Sequence, residues 1–133
     1  MFGTILCVDD DPITLMLCKM VITRATFSSE IVTAKNGEEA LKYFDAITKN
    51  TALNNSKPQL IFLDLNMPVM NGWEFLDGFN TEEYSEYHDT KVIILSSTID
   101  PEDLEKSKKY PMVIDFLSKP ISKEMLEFVK GKM

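Results

Sequence analysis

Leu-Ile-Phe-Leu-Asp-Leu, residues 60–65, is the stretch that decides the fold class. It has strand length and no polar alternation, the pattern of a strand buried on both faces of a parallel sheet. Four more runs read the same way: residues 4–8 (TILCV), 31–34 (IVTA), 92–95 (VIIL) and 113–117 (VIDFL). Between the runs, apolar residues recur at three- and four-residue steps, which is helical spacing. The sets are Ile13, Leu17, Met20 and Val21; Ala40, Leu41, Phe44 and Ile47; Gly72, Phe75, Leu76 and Phe79; and Ile121, Met125, Phe128 and Val129. Residues 101–109 offer only Leu104 as an apolar anchor, so the fourth helix is expected to be short. Asp11-Pro12 and Asp100-Pro101 place a capping acid before a first-turn proline, and Ser122 stands ahead of the last helix.

Strand and helix therefore alternate five times. The expected class is α/β: a doubly wound, five-stranded parallel sheet with helices on both faces, in the flavodoxin-like order 2-1-3-4-5. A length of 133 residues suits one domain, residues 1–133. The polar stretch 49–59 (KNTALNNSKPQ) reads as a surface insertion before the third strand. Fourteen Lys plus Arg against 21 Asp plus Glu give a net charge of −7, which argues against nucleic acid as partner and permits a cation site. The N-terminus has neither a basic leader nor a long apolar run, so no membrane association is expected. Cys7 and Cys18 lack metal-binding spacing and are expected to be buried and inert, which fits a reducing cytoplasm.

In an open parallel sheet the functional crevice lies beyond the carboxyl ends of the strands. The residues there are polar: Asp9, Asp10 and Asp11 after the first strand, Asp64 in the third, Ser96, Ser97 and Thr98 after the fourth, and Ser118, Lys119 and Pro120 after the fifth. Asp11 reads as a helix cap. An EF-hand reading fails, because counting from Asp9 puts Thr14 and Met20 where glycine and the terminal glutamate belong. Asp64 inside an apolar run carries a desolvation cost that function explains better than packing. Asp9, Asp10 and Asp64 together would repel strongly, and a single lysine cannot neutralise them. An all-oxygen donor set points to Mg²⁺, which completes its shell with water and phosphate oxygens. Phe116, Trp73 and the methionines read as packing residues.

Residues 5–12 (ILCVDDDP), 60–76 (LIFLDLNMPVMNGWEFL), 92–98 (VIILSST) and 115–120 (DFLSKP) resemble the response-regulator receiver domain of two-component signalling, of stand-alone type. The resemblance implies Asp64 as phosphoacceptor, and Mg²⁺ bound by Asp9, Asp10, Asp64 and the main-chain carbonyl of Asn66. It implies Ser96 as the switch hydroxyl, Lys119 as the site lysine, Phe116 as the switch aromatic, and a cis Lys119-Pro120 peptide. The expected function is acceptance of a phosphoryl group from phosphohistidine, with a sensor histidine kinase or histidine phosphotransfer protein as donor. The expected output is a downstream protein target bound through the face of the fourth helix, fifth strand and fifth helix. On this reading the chain is not an enzyme. The turn Tyr110-Pro111-Met112-Val113 departs from the family's small, glycine-containing one. Two alternatives belong to other classes. A Mg²⁺-dependent aspartyl-phosphate phosphatase of haloacid-dehalogenase type should carry its Asp-x-Asp motif on the first strand, whereas here the paired acids come first and the lone aspartate later. A binding module that works without phosphorylation would not need the complete acid, hydroxyl and lysine set.

Overall fold

The structure, a computed structural model, describes residues 2–49 and 57–132. The strands are β1 (Phe2–Val8), β2 (Ser28–Ala34), β3 (Pro58–Leu63), β4 (Lys91–Ser96) and β5 (Val113–Ser118). The helices are α1 (Pro12–Arg24), α2 (Gly37–Lys49), α3 (Gly72–Phe79), α4 (Pro101–Ser107) and α5 (Lys123–Lys132), with a 3-10 helix, η1 (Glu82–Tyr87), ahead of β4. All strand pairs are parallel and the sheet order is β2-β1-β3-β4-β5, as the alternation of the sequence requires.

Because successive strand side chains face opposite ways, each central strand feeds two cores. Leu6, Val8, Ile61, Leu63, Val92 and Ile94 pack with Ala40, Phe44 and Ile47 of α2 and Phe75, Leu76 and Phe79 of α3. On the other face Ile5, Cys7, Leu60, Phe62, Ile93 and Leu95 meet α1 and α5. Asp11 and Asp100 cap α1 and α4 through their side chains, with proline in the first turn of each.

Four local expectations need correction. The buried face of α1 is Leu15, Cys18 and Ile22, whereas Ile13 (63% exposed), Leu17 and Met20 face solvent together with Met16. Of the set expected for the last helix, Ile121, Met125 and Val129 pack inward together with Leu126, but Phe128 lies outside with Lys132 over its ring. The third strand begins at Pro58 and ends at Leu63, so Asp64 lies just past it rather than within it. Of the supposed insertion 49–59, Lys49 closes α2 while Pro58 and Gln59 open β3; residues 50–56 lie outside the described residues. No apolar spacing marks η1, whose Tyr84 and Tyr87 are buried against the α2–α3 core. The two cysteines are buried and free, as expected, and the Lys119-Pro120 peptide is cis.

Candidate functional site

Parallel pairing brings the C-terminal ends of β1, β3, β4 and β5 side by side, and the polar residues beyond them converge. The Asp9 N–H donates to the Ala34 carbonyl and the Asp64 N–H to the Val8 carbonyl, so each acid is carried by one last ladder bond just beyond its strand. Asp9 and Asp64 are buried and Asp10 is exposed; one carboxylate oxygen from each lies within 4.8 Å of the other two. Lys119 reaches in from β5, its Nζ 2.6 Å from Asp9 Oδ2 and 3.5 Å from Asp64 Oδ1. Three carboxylates thus cluster around one ammonium, which pairs with two of them.

The backbone around Asp64 is held by close approach. The Gly72 N–H donates to the Leu65 carbonyl at 3.0 Å, and a Cβ on Gly72 would fall 2.6 Å from the Asp64 carbonyl oxygen. Any side chain at 72 would push the loop off the acid, so Gly72, which the spacing placed in the third helix, is also a packing requirement of the site. Asn71 and Glu74 fix the start of α3 with reciprocal bonds, Asn71 Oδ1 accepting from the Glu74 N–H and Glu74 Oε1 from the Asn71 N–H. Asp11 is spent on α1, accepting from the Ile13 N–H and the Thr14 hydroxyl, and its own N–H donates to Asp9 Oδ1.

The electrostatics follow from this packing. Burial pushes the Asp64 carboxyl above its ordinary value and the Asp9 charge adds to it, while Lys119 and the Asn66 N–H pull the other way without prevailing. A cavity of about 10 Å³ lined by Cys7, Leu15, Cys18, Phe62 and Leu95 lies directly against Asp9 and Asp64, so their floor is apolar. Burial lowers the Lys119 ammonium, but its hydrogen bond to Asp9 and the charges of Asp64 and Asp9 outweigh that and hold it above the ordinary lysine value.

The sequence-expected residues thus divide. Asp9, Asp10, Asp64 and Lys119 come together. Ser96 is buried and tied to the lysine, its carbonyl accepting from the Lys119 N–H at 2.8 Å while its hydroxyl oxygen accepts from the Thr98 N–H at 3.4 Å. Phe116 lies outside the cluster, buried in the α2–α3 core opposite Ile94. Asn66 is exposed and meets Asp64 through its N–H, a contact that the expectation of a carbonyl ligand did not include.

The donor set fits a hard divalent cation, since three carboxylates with one ammonium leave uncompensated negative charge and every candidate ligand is oxygen. No helix among the described residues is long and apolar enough to cross a membrane. The family model for the response regulator receiver domain matches residues 5–129. The transcriptional regulatory protein HptR of Staphylococcus aureus is 31% identical over 134 aligned residues, which take in all of this chain and 46% of that protein. The chain therefore spans about half the length of the curated relatives it matches. Among solved structures, a two component response regulator from Cytophaga hutchinsonii superposes with a TM-score of 0.87 at 28% identity, covering 98% of this chain and 96% of that one. The chemotaxis protein CheY4 of Vibrio cholerae does so at 0.76 and 26%, covering 99% and 98%.

Proposed function

Because the chain belongs to the response regulator receiver domain family of two-component signalling, we propose that Asp64 accepts a phosphoryl group from a phosphohistidine and that the modification switches a protein-binding face. The observation that carries the reading is Lys119 Nζ within reach of both Asp9 and Asp64, at the mouth where the ends of β1 and β3 deliver three acids. An Asp64 oxygen forms the new P–O bond as the P–N bond to the donor imidazole breaks, giving an acyl phosphate. Lys119 places positive charge beside the oxygens that gain it, and its bond to Asp9 keeps the side chain in the cleft. Asp9, Asp10 and Asp64, with the Asn66 carbonyl, would hold Mg²⁺, which supplies neutralisation of the acids and of the transferring group. The buried Ser96 hydroxyl offers a charge-assisted hydrogen bond to the new oxygens, and its movement opens space that Phe116 can enter from β5. The donor is a sensor histidine kinase or histidine phosphotransfer protein in the cytoplasm. The receiver unit is taken as residues 1–133, its output read by a protein on the α4, β5 and α5 face, and it turns over no substrate beyond its own phosphorylation and dephosphorylation.

Intact-mass analysis after incubation with acetyl phosphate and Mg²⁺ tests this reading. One phosphoryl increment is expected on the wild type and none on Asp64→Asn or without Mg²⁺; equal uptake by the variant would overturn it, and sustained hydrolysis of small phosphate esters that depends on Asp64 would favour a phosphatase.

A further inference from the structure

Among the helices α4 stands apart in how little it buries. Its buried residue is Ser107, whose hydroxyl is turned back onto the Leu104 carbonyl at 2.6 Å, and Leu104 itself is 38% exposed. A helix with so little apolar contact draws its position from what its ends touch. At the C-terminal end it touches α3. Lys106 Nζ lies 4.7 Å from the centroid of the Trp73 ring, and Trp73 stacks on Tyr110 with centroids 5.7 Å apart and planes 25° from parallel. Tyr110 is fixed: it is buried, its hydroxyl donates to Asp77 Oδ1 of α3 at 2.6 Å, and its carbonyl accepts from the Val113 N–H. The aromatic pair is thus part of the α3 side, and Lys106 is the hand that α4 lays on it.

The other end of α4 leads straight to the site. Ser96 closes β4, its hydroxyl oxygen accepts from the Thr98 N–H, and Asp100 two residues further on is the cap of α4. A Ser96 hydroxyl that turns toward a modified Asp64 gives up the Thr98 contact and draws on the segment that positions the helix. We propose that Trp73, Tyr110 and Lys106 form a clasp that holds α4 in its resting position and opens when Asp64 is modified. The turn that departs from the family pattern, Tyr110-Pro111-Met112, is what supplies the fixed half of the clasp. This rests on Asp64 being the phosphoacceptor. A contact made in one state alone opposes the ligand of the other state, so removing it favours the activated form.

The test uses beryllofluoride with Mg²⁺ as the phosphoryl mimic and the emission of Trp73, the chain's one tryptophan. Emission is expected to shift when the mimic binds to wild type. In Lys106→Ala it is expected to start near the shifted value, with mimic binding tightened about threefold. Lys109→Ala, which removes a neighbouring lysine, should behave as wild type. Binding is followed separately by fluorine resonances of the bound mimic. If those resonances form while Trp73 emission and affinity are the same in wild type and Lys106→Ala, the clasp is overturned and the phosphoacceptor reading stands. If no bound resonances form, or they form equally in Asp64→Asn, the reading beneath both is overturned.

Discussion

Val69 carries its backbone at φ 72° in the loop between Asp64 and α3 while 74% exposed. A β-branched side chain in the left-handed region costs about 1–2 kcal/mol, and at this exposure it recovers little by burial. Val69→Asn keeps the turn and removes most of the strain, so urea unfolding should show a gain of about 1 kcal/mol; an unchanged or lower midpoint would contradict it. Asp64 is strained in another sense. Its carboxyl is raised by burial and by Asp9, so the folded state holds that proton more tightly than the unfolded chain does. Stability therefore falls as pH climbs from the ordinary value of 3.8 through the raised one, and the ionised acid is a burden at neutral pH without metal. Asp64→Asn should be more stable than wild type in EDTA at pH 7 by about 1 kcal/mol, a typical size for one substitution, and Mg²⁺ should close the gap by stabilising the wild type. Urea melts at pH 7 with and without Mg²⁺ decide it; a less stable variant in EDTA would refute the assignment.

At the scale of elements, α3 and α1 show what a sequence can and cannot specify. On α3 the set Gly72, Phe75, Leu76 and Phe79 was legible because polar residues separate it from the outer face, and all four are buried. On α1 nearly every side is apolar, so the set beginning at Ile13 and the set Leu15, Cys18 and Ile22 fit a helix equally well. Strand β1 makes the choice: Cys7 lies in the same core as Cys18, and that phase turns Ile13, Leu17 and Met20 outward. No local pattern contains that information. Nor does any local pattern show that Gly72 lies against the Asp64 carbonyl, since the approach exists only after the loop folds back. Gly72→Ala should lose about 1–3 kcal/mol by overpacking and weaken Mg²⁺ binding by displacing Asp64; calorimetric titration with unchanged affinity would count against the close approach. Two phenols tie other elements together. The Tyr84 hydroxyl donates to Asp45 of α2 and the Tyr110 hydroxyl to Asp77 of α3, and burial with these acid partners pushes both groups up to about 12. The unfolded chain releases these protons near the ordinary value of 10, so the stability they contribute is complete below pH 10 and is lost between 10 and 12. Unfolding of the Tyr84→Phe, Tyr110→Phe double variant should vary less than wild type between pH 9 and 11; an equal slope would locate the alkaline loss elsewhere.

For the whole molecule, the order of runs and spacings was enough to specify a parallel five-stranded sheet, because right-handed crossovers leave few ways to connect alternating strands and helices. The same rule made the rim legible, since residues after each run must meet at one end of the sheet. Hence Asp9, Asp10, Asp64 and Lys119 could be grouped before any coordinates, whereas the partition of Lys119 between two acids and the apolar floor beneath them depend on packing distances that no spacing encodes. The central claim is chemical: one carboxylate among these acids is the acceptor. Borohydride reduction of the acetyl-phosphate-treated protein, followed by peptide mapping, reads it directly, because an aspartyl phosphate is converted to homoserine. The account predicts homoserine at position 64 and at neither Asp9 nor Asp10, and only when Mg²⁺ is present; homoserine at another aspartate, or none anywhere after demonstrated phosphoryl uptake, would contradict it.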